Sequence, residues 1–377
     1  MFSPRQFSIY GEDGMWFEEK RRAAREVCAG SLTIGGNAPI SVQSMLNTDS
    51  HDAEACIAQA KRLCCAGCDI VRMAVPDREA AATIASMKEA GVRAPLVADI
   101  HFDYRIALEA VACGADKIRI NPGNIGSDER VRAVVSACRE RGLPIRIGVN
   151  AGSLQKDILA KYGGPTPEAL AESAMVHVRL LERFDFTDIV VSVKASQVCD
   201  MIMANRLLSE MCPYPLHLGV TEAGTIRAGT LKSAAGIGSL LCDGIGDTIR
   251  VSLTADPEEE VRAAHGLLQA LGIGRAGSID LVSCPTCGRT KIPLISMAEE
   301  LERRLAAEVH DGRKLRVALM GCAVNGPGEA READIGAAGG DGEAVLFKKG
   351  VVVRRIAAAQ LVDELIREIN EMRDAED

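Results

Sequence analysis

The stretch Gly67-Cys68-Asp69-Ile70-Val71-Arg72 decides the fold, because the chain repeats its pattern twice. Gly114-Ala115-Asp116-Lys117-Ile118-Arg119 follows the same scheme, and Gly246-Asp247-Thr248-Ile249-Arg250 keeps the glycine, the aspartate and the arginine. In each copy, a glycine suited to ending a helix precedes a short run rich in β-branched residues. Three copies of one helix-to-strand junction predict parallel strands joined by crossover helices.

The same alternation extends on both sides of these copies. Short β-branched runs alternate with longer segments whose apolar residues have helical spacing. The eight predicted strands are 39–45, 69–75, 95–101, 117–122, 144–150, 188–194, 215–221 and 247–253. Eight such units predict an α/β fold, a closed TIM (β/α)8 barrel.

The chain beyond the barrel predicts a second, smaller domain. A Gly-rich segment at 271–277 is typical of a hinge, so we expect domains over residues 1–270 and 271–377. The second domain is predicted to be α+β. Its expected elements are a cysteine turn, a helix near 296–309, a strand at 314–320, a strand pair near 343–355 and a closing helix near 357–373.

Composition limits the classes of function and the cellular locations that the sequence allows. A net charge of -8 and an aromatic content of 3% argue against a nucleic-acid-binding surface. No apolar run reaches the roughly 18 residues of a membrane span, and the first residues lack the apolar core of a signal peptide. Thirteen cysteines without an export signal predict the reducing cytoplasm. The charged run at 18–22 predicts a solvated arm or a short helix.

Alternation along the strands predicts an unusually polar barrel interior. Arg72, Arg119 and Arg250 should share one side of the sheet, because side chains two residues apart point the same way. The apolar side must face the helices, so these arginines face the axis. The same parity assigns to the interior Gln43, Met45, Asp99, His101, Asn121, Arg146, Asn150, Ser192, Lys194, His217, Thr221 and Ser252.

Cations outnumber acids on this predicted inner face. Internal salt bridges to the two local acids, Asp99 or Glu222, are the alternative explanation for one or two of the cations. The five cations are Arg72, Arg119, Arg146, Lys194 and Arg250. Buried charge is costly unless it is paired, and guanidinium forks match pairs of phosphate oxygens. The surplus predicts a phosphate or diphosphate ligand at the strand ends, where barrel active sites lie.

Two loops in the second domain predict a metal site. Ser283-Cys284-Pro285-Thr286-Cys287-Gly288-Arg289 and Gly321-Cys322-Ala323-Val324-Asn325-Gly326-Pro327-Gly328-Glu329 place three thiols among Gly, Pro and polar residues. A zinc ribbon repeats the Cys-x-x-Cys pair, whereas the second loop has one cysteine. The spacing therefore favours an iron–sulfur cluster with an unusual fourth ligand, with structural zinc as the alternative. Cys65 and Cys68, at a helix-to-strand junction, are expected to pack.

Several long motifs in one order resemble the 4-hydroxy-3-methylbut-2-enyl diphosphate synthase family, in its short, two-domain bacterial form. The resemblance spans nearly the whole chain. It rests on both cysteine segments and on the segments at 38–45, 47–49, 98–102, 119–124 and 146–152.

This resemblance implies an iron–sulfur oxidoreductase of isoprenoid precursor biosynthesis. The substrate would be 2-C-methyl-D-erythritol 2,4-cyclodiphosphate, reduced through a [4Fe–4S] cluster with flavodoxin or ferredoxin as donor. The enzyme would be a homodimer with an active site shared between chains. The implied ligand contacts are Arg72, Arg119, Arg146, Asn150, Lys194, Arg250 and Ser252. The implied reacting-end residues are Asp99, His101 and Glu222, and the implied cluster ligands are Cys284, Cys287, Cys322 and Glu329.

Two other classes of function are consistent with parts of the sequence. A barrel methyltransferase with a thiolate-bound zinc would be colourless and would bind about one zinc ion per chain. A redox-sensing module would hold a cluster, but it would have no use for an arginine-lined pocket. Visible absorption with iron and sulfide analysis distinguishes these possibilities.

Overall fold

The computed structural model of the protein describes residues 16–274, 279–306, 314–322, 328 and 330–374. Two compact units divide the chain, Met1–Leu271 and Gly272–Asp377. None of the described helices combines the length and apolarity needed to cross a membrane.

Eight parallel strands of the first unit form the predicted barrel, which is confirmed. The strands are β3 (Ser41–Met45), β4 (Ile70–Ala74), β5 (Leu96–Asp99), β6 (Lys117–Ile120), β7 (Ile145–Asn150), β8 (Ile189–Lys194), β9 (His217–Leu218) and β10 (Thr248–Ile249). Their order in the sheet is β8-β7-β6-β5-β4-β3-β10-β9. A parallel bridge from Val191 to Leu216 joins the two ends of this order.

Helices cover the outside of the barrel between successive strands. They are α2 (Ala53–Cys65), α3 (Arg78–Glu89), α4 (Tyr104–Ala112), α5 (Pro122–Ile125), α6 (Asp128–Arg141), α7 (Lys156–Tyr162), α8 (Pro167–Glu182), α9 (Val198–Met211), α10 (Ile226–Cys242) and α11 (Pro257–Ala270). Asp52, Asp77 and Asp103 begin α2, α3 and α4, each accepting a hydrogen bond from a backbone N–H of the first turn. Helix starts are thereby fixed directly after the strand-end loops.

The amino end of the barrel is closed by a short hairpin. Strands β1 (Val27–Ala29) and β2 (Leu32–Ile34) pair antiparallel. Ala29 and Ile34 pack in one buried cluster with Ile70 and Val97, which belong to barrel strands. We call this hairpin the plug.

The segment before the plug corrects one prediction. The charged run at 18–22 was expected to be a solvated arm or a short helix, and α1 (Trp16–Lys20) is indeed a short helix. Arg21 and Arg22, however, are largely buried and form ion pairs with Asp247, with the Arg21 Nη2 to Asp247 Oδ1 distance 3.2 Å. These contacts satisfy a buried carboxylate, so the end of the run is structural and not solvated.

The second unit contains a five-stranded sheet in the order β11-β12-β13-β14-β15. The strands are β11 (Ile279–Ser283), β12 (Leu315–Met320), β13 (Ile335–Gly339), β14 (Glu343–Lys348) and β15 (Val351–Ala357). The first three are parallel, and β14 and β15 are antiparallel additions. Helix α12 (Leu294–Ala306) and the C-terminal helix Leu361–Asp374 share an apolar core with this sheet through Leu301, Val317 and Ile369.

Candidate active site

One cavity of the barrel gathers the predicted ligand-contacting residues. It has a volume of about 170 Å³ and lies toward the carboxyl ends of the strands. All seven side chains expected to contact the ligand line it, together with Gly148, Ser192 and Thr221. The seven are Arg72, Arg119, Arg146, Asn150, Lys194, Arg250 and Ser252. The predicted alternation along the strands therefore holds for these residues, while their contact with a ligand remains a prediction.

Asp99 anchors two of the cavity's guanidinium groups. Arg72 Nη2 donates to Asp99 Oδ2 at 2.5 Å, and Arg119 Nη1 donates to Asp99 Oδ1 at 2.9 Å. Burial raises the pKa of Asp99, but the charges of Arg72 and Arg119 outweigh burial and hold this pKa below its usual range. The carboxylate is therefore ionised at neutral pH and fixes both arginines.

Arg250 is held by a carboxylate that the sequence did not single out. The sequence assigned Asp99 and Glu222 as internal acids, but Arg250 pairs with Glu260 of α11. Glu260 is buried, and it also accepts hydrogen bonds from Ser44 Oγ at 2.8 Å and from the Leu253 N–H at 3.0 Å. Glu222 is exposed in the loop after β9. Glu260 reaches Arg250 from the helix side of the barrel.

Arg146 and Lys194 carry the cavity's unbalanced charge. In the described part of the chain, the ion pairs of the cavity's cations are those of Arg72, Arg119 and Arg250. Arg146 donates from Nη1 to Gln43 Oε1 at 3.0 Å, which supplies no negative charge. Burial lowers the pKa of Arg146 and of Lys194, and neighbouring cations lower both further. An anion in this cavity would relieve the repulsion.

The inner face has room for these long side chains because Gly148 stands on β7. A Cβ atom at Gly148 would lie 2.5 Å from Arg119 Nε, so any larger residue would push the guanidinium aside. Arg119 thus crosses the strand over a position that only glycine leaves open.

Of the three predicted reacting-end residues, Asp99 ends β5, while His101 and Glu222 lie in loops at the carboxyl ends of the strands. His101 was predicted on an inner strand position, but β5 ends at Asp99. The His101 side chain is half exposed, with Nε2 3.6 Å from Asp99 Oδ2. Glu222 has a φ of 53°, in the left-handed region that side chains other than glycine rarely adopt. Neither residue lines the 170 Å³ cavity.

The predicted cysteine ligands lie at one edge of the second unit's sheet. Cys284 follows β11 and Cys322 follows β12, two adjacent parallel strands paired through Ser283 and Leu319. The N–H of Gly321 donates to Cys284 Sγ at 3.2 Å. The strand order therefore brings the two loops together.

A short turn holds the remaining thiol at the same edge. The Cys287 N–H donates to Thr290 Oγ1 at 3.2 Å, and the Lys291 N–H donates to the Gly321 carbonyl at 2.9 Å. Cys287 is exposed, and Cys284 and Cys322 are partly exposed. Three accessible thiols in two touching loops suit a thiolate-bound iron–sulfur group.

The predicted fourth ligand of the metal group is not among the described residues at this edge. Across the described residues, no three Cys, His, Asp or Glu side chains stand together as ligands of a single metal ion. Glu329, the predicted fourth ligand, lies outside the described residues. The thiols fit a metal group by chemistry and by strand order, and the fourth position stays a prediction.

Family comparisons agree with both units. The GcpE TIM-barrel domain matches residues 24–265, and the GcpE protein C-terminal domain matches residues 280–371. The chain belongs to the GcpE family. The two matches cover the barrel and the sheet that carries the cysteines, so membership rests on the whole architecture.

Curated GcpE relatives match over most of their length. A protein of Caldanaerobacter subterraneus subsp. tengcongensis is 58% identical over 352 residues, which are 93% of this chain and 98% of the relative. A protein of Ruminiclostridium cellulolyticum is 56% identical over 353 residues, which are 94% of this chain and 99% of the relative. Both are named 4-hydroxy-3-methylbut-2-en-1-yl diphosphate synthase (flavodoxin).

Two interior residues of this GcpE chain were missed by the sequence reasoning. Glu260 falls on the buried stripe of α11 with Val261 and Ala264, so helical spacing could have revealed it. Lys117 shares the parity of Arg119 on β6 and is fully buried. The alternation that identified Arg119 applies equally to Lys117.

Proposed function

We propose that this chain is a 4-hydroxy-3-methylbut-2-en-1-yl diphosphate synthase acting on 2-C-methyl-D-erythritol 2,4-cyclodiphosphate. The observation that carries the proposal is the cavity with more buried cations than carboxylates. The relatives' printed names describe a diphosphate product, and a diphosphate supplies the missing negative charge.

The overall reaction is a two-electron reduction. The ring C–O bond at the tertiary carbon breaks, so the diphosphate remains on the other end of the chain. The neighbouring hydroxyl leaves as water and a C=C bond forms. Two electrons and two protons balance the conversion of the neutral cyclodiphosphate into the product and water.

The cavity cations bind and orient the diphosphate in this proposal. Arg72 and Arg119 are fixed by Asp99, and Arg250 is fixed by Glu260, so their donors are in place before the ligand binds. Arg146 and Lys194 have no carboxylate partner among the described residues and supply the uncompensated charge. Asn150 and Ser252 add neutral hydrogen bonds that define the ligand's orientation.

Protons would be held by the loop residues and not by Asp99. Asp99 stays ionised between two guanidinium groups, so we assign it the role of anchor. His101 is half exposed beside Asp99, and Glu222 is exposed after β9. Both side chains lie at the mouth of the barrel and are of the types that transfer protons, so we propose that they serve in proton transfer to the substrate.

We propose that Cys284, Cys287 and Cys322 hold a [4Fe–4S] cluster, with Glu329 as the fourth ligand. When bound, the cluster would supply electrons one at a time and an iron atom acting as a Lewis acid. The turn at Thr290 and the Gly321 N–H position two of the three thiols for it. Flavodoxin, which the relatives' names contain, is the proposed electron donor, with ferredoxin as the second candidate.

We further propose a cytoplasmic homodimer in which the two chains share each active site. All thirteen cysteines are free thiols, as expected in a reducing compartment. Sharing between chains is tested by mixing a Cys287→Ala chain with an Arg146→Ala chain. Verified heterodimers should regain one complete site and measurable turnover, and inactive heterodimers would contradict sharing.

Anaerobic purification tests the function itself. The protein should be brown, with about four iron and four sulfide per chain, and should convert the cyclodiphosphate when given reduced flavodoxin. Arg146→Ala should keep the iron but weaken substrate binding by about 2–4 kcal/mol. A colourless protein with one zinc would favour the methyltransferase alternative, and a brown protein that ignores the cyclodiphosphate would favour the redox sensor.

A further inference from the structure

Lys117 is a buried amine with no counter-charge. It precedes Arg119 by two residues on β6, so it points into the barrel about 7 Å deeper than the cavity arginine. The side chain has no solvent exposure, and Nζ has no hydrogen-bond partner within the described part of the chain. A buried ammonium without an acid is strongly disfavoured.

The surroundings of Lys117 are cationic. Asp99, on the strand next to β6, already accepts from Arg72 and Arg119. Asp116 precedes Lys117 but has the opposite parity on the strand, and it pairs with Lys88 and the Leu96 N–H. The other ionisable side chains of the interior are Glu260, which pairs with Arg250, and the bases Arg72, Arg119, Arg146, Lys194, His217 and Arg250. Burial, followed by the charges of Arg146 and Arg72, lowers the pKa of Lys117 far below its ordinary value.

The amine is also closed off from the amino end of the barrel. The plug packs Ala29 and Ile34 against Ile70 and Val97. Val97 is the register partner of Lys117 on the neighbouring strand. The open end of the barrel is the end at which the cavity lies.

We infer that Lys117, whose amine is neutral in the free protein, takes up one proton from solvent when a diphosphate occupies the cavity above it. The inference rests on the proposed function. Two new negative charges would offset the surrounding cations, and the amine would then gain from being charged. No bond breaks in this step, since one proton passes from water or buffer to Nζ.

The step would make binding depend on charge and not on shape alone. In the free protein, a neutral Lys117 limits the repulsion among the buried cations. In the complex, a protonated Lys117 would add a positive charge below the phosphates. A neutral molecule of similar size would not trigger this uptake.

Calorimetry of cyclodiphosphate binding measures this proton directly. The cluster-loaded protein, without reductant, is titrated near pH 7.5 in Hepes, Tris and imidazole buffers. The slope of the apparent enthalpy against the buffer's ionisation enthalpy gives the protons taken up. Each phosphorus of the ring bears a single strongly acidic hydroxyl, so the ligand itself contributes none.

Lys117→Met and Lys117→Gln identify the group responsible. Both variants should bind the ligand with uptake lower by about one proton than the wild type. His217→Asn, which replaces another buried interior base, should keep the wild-type uptake. Wild-type binding should weaken as pH rises through this range, and the Lys117 variants should show a shallower dependence.

Equal uptake in the wild type and in a Lys117 variant would overturn the inference, because Lys194 or His217 would then be the acceptor. Failure of the wild type to bind the cyclodiphosphate would instead contradict the proposed function. One titration series therefore distinguishes failure of this inference from failure of the proposed function.

Discussion

Arg250 and Glu260 form a two-point ion pair between the barrel interior and α11. Arg250 Nε and Nη2 donate to Glu260 Oε2 and Oε1, each at 3.1 Å. Two parallel hydrogen bonds fix the plane of the guanidinium, which a single contact would leave free to turn. A helix residue thus sets the direction of a cation that lines the cavity.

Glu260→Gln should destabilise the protein and misdirect Arg250. The amide lacks the negative charge and presents N–H groups to the guanidinium, so a partly buried cation loses its partner. We expect a loss of about 2–4 kcal/mol in the free energy of unfolding, measured by denaturant titration. The control is Glu259→Gln, whose ion pair with Arg262 is exposed and should matter by less than about 1 kcal/mol. Equal losses in the two variants would contradict the role of Glu260.

Gly148→Ala should weaken ligand binding with little effect on the fold. The new methyl group would lie 2.5 Å from Arg119 Nε, so the guanidinium must move away from Asp99. Losing one charge-assisted contact predicts about 10- to 100-fold weaker binding of the cyclodiphosphate, measured by calorimetry. Gly266→Ala, on α11 with open space around its Cβ position, is the control and should bind normally. Unchanged affinity in Gly148→Ala would mean that Arg119 is not a ligand contact.

Gly321→Val should reduce the content of the proposed iron–sulfur cluster. A Cβ atom at Gly321 would come within 3.0 Å of Thr290, the residue that holds the Cys287 turn. We expect less iron and sulfide per chain after anaerobic reconstitution, with a far-ultraviolet spectrum close to that of the wild type. Gly288→Val changes a residue beside Cys287 that has nothing within 4 Å of its Cβ position, and it should keep its iron. Full iron content in both variants would show that the packing of Thr290 is dispensable.

His51 should remain protonated well above neutral pH. Its Nδ1 lies 2.9 Å from Asp49 Oδ1 and its Nε2 lies 3.0 Å from Asp77 Oδ2. Hydrogen bonds to Asp49 and then Asp77 raise the pKa of His51 to about 9. Since the folded pKa exceeds the usual 6.5, the stabilisation is complete below about 6.5 and is lost as pH rises through about 9. Imidazole NMR titration checks this, and Asp77→Asn should lower the value.

The barrel was predictable because its signals are local and repeated. Parity along each strand correctly placed Arg72, Arg146 and Lys194 in one cavity, as side chains two residues apart face the same way. The predicted last strands, 215–221 and 247–253, are longer than the observed pairs His217–Leu218 and Thr248–Ile249. Composition alone does not reveal where a strand stops pairing with its neighbours.

Other features depended on partners distant in sequence. Glu260 pairs with Arg250 through a contact that helix packing creates. In the second unit, the predicted elements omitted β11 and β13. Strand β13 reads Ile-Gly-Ala-Ala-Gly and has one β-branched residue, so its strand character comes from pairing with β12 and β14.

The plug leaves the barrel interior open at the carboxyl ends of the strands only. Because Ala29 and Ile34 pack across the amino end, substrate and products would enter and leave at the carboxyl ends of the strands. In the proposed reaction, the water formed from the leaving hydroxyl would then leave on the side where the diphosphate is bound. This water molecule would either pass the bound product or stay in the cavity until the product dissociates. The closed amino end of the barrel would then set the order in which water and the diphosphate product leave.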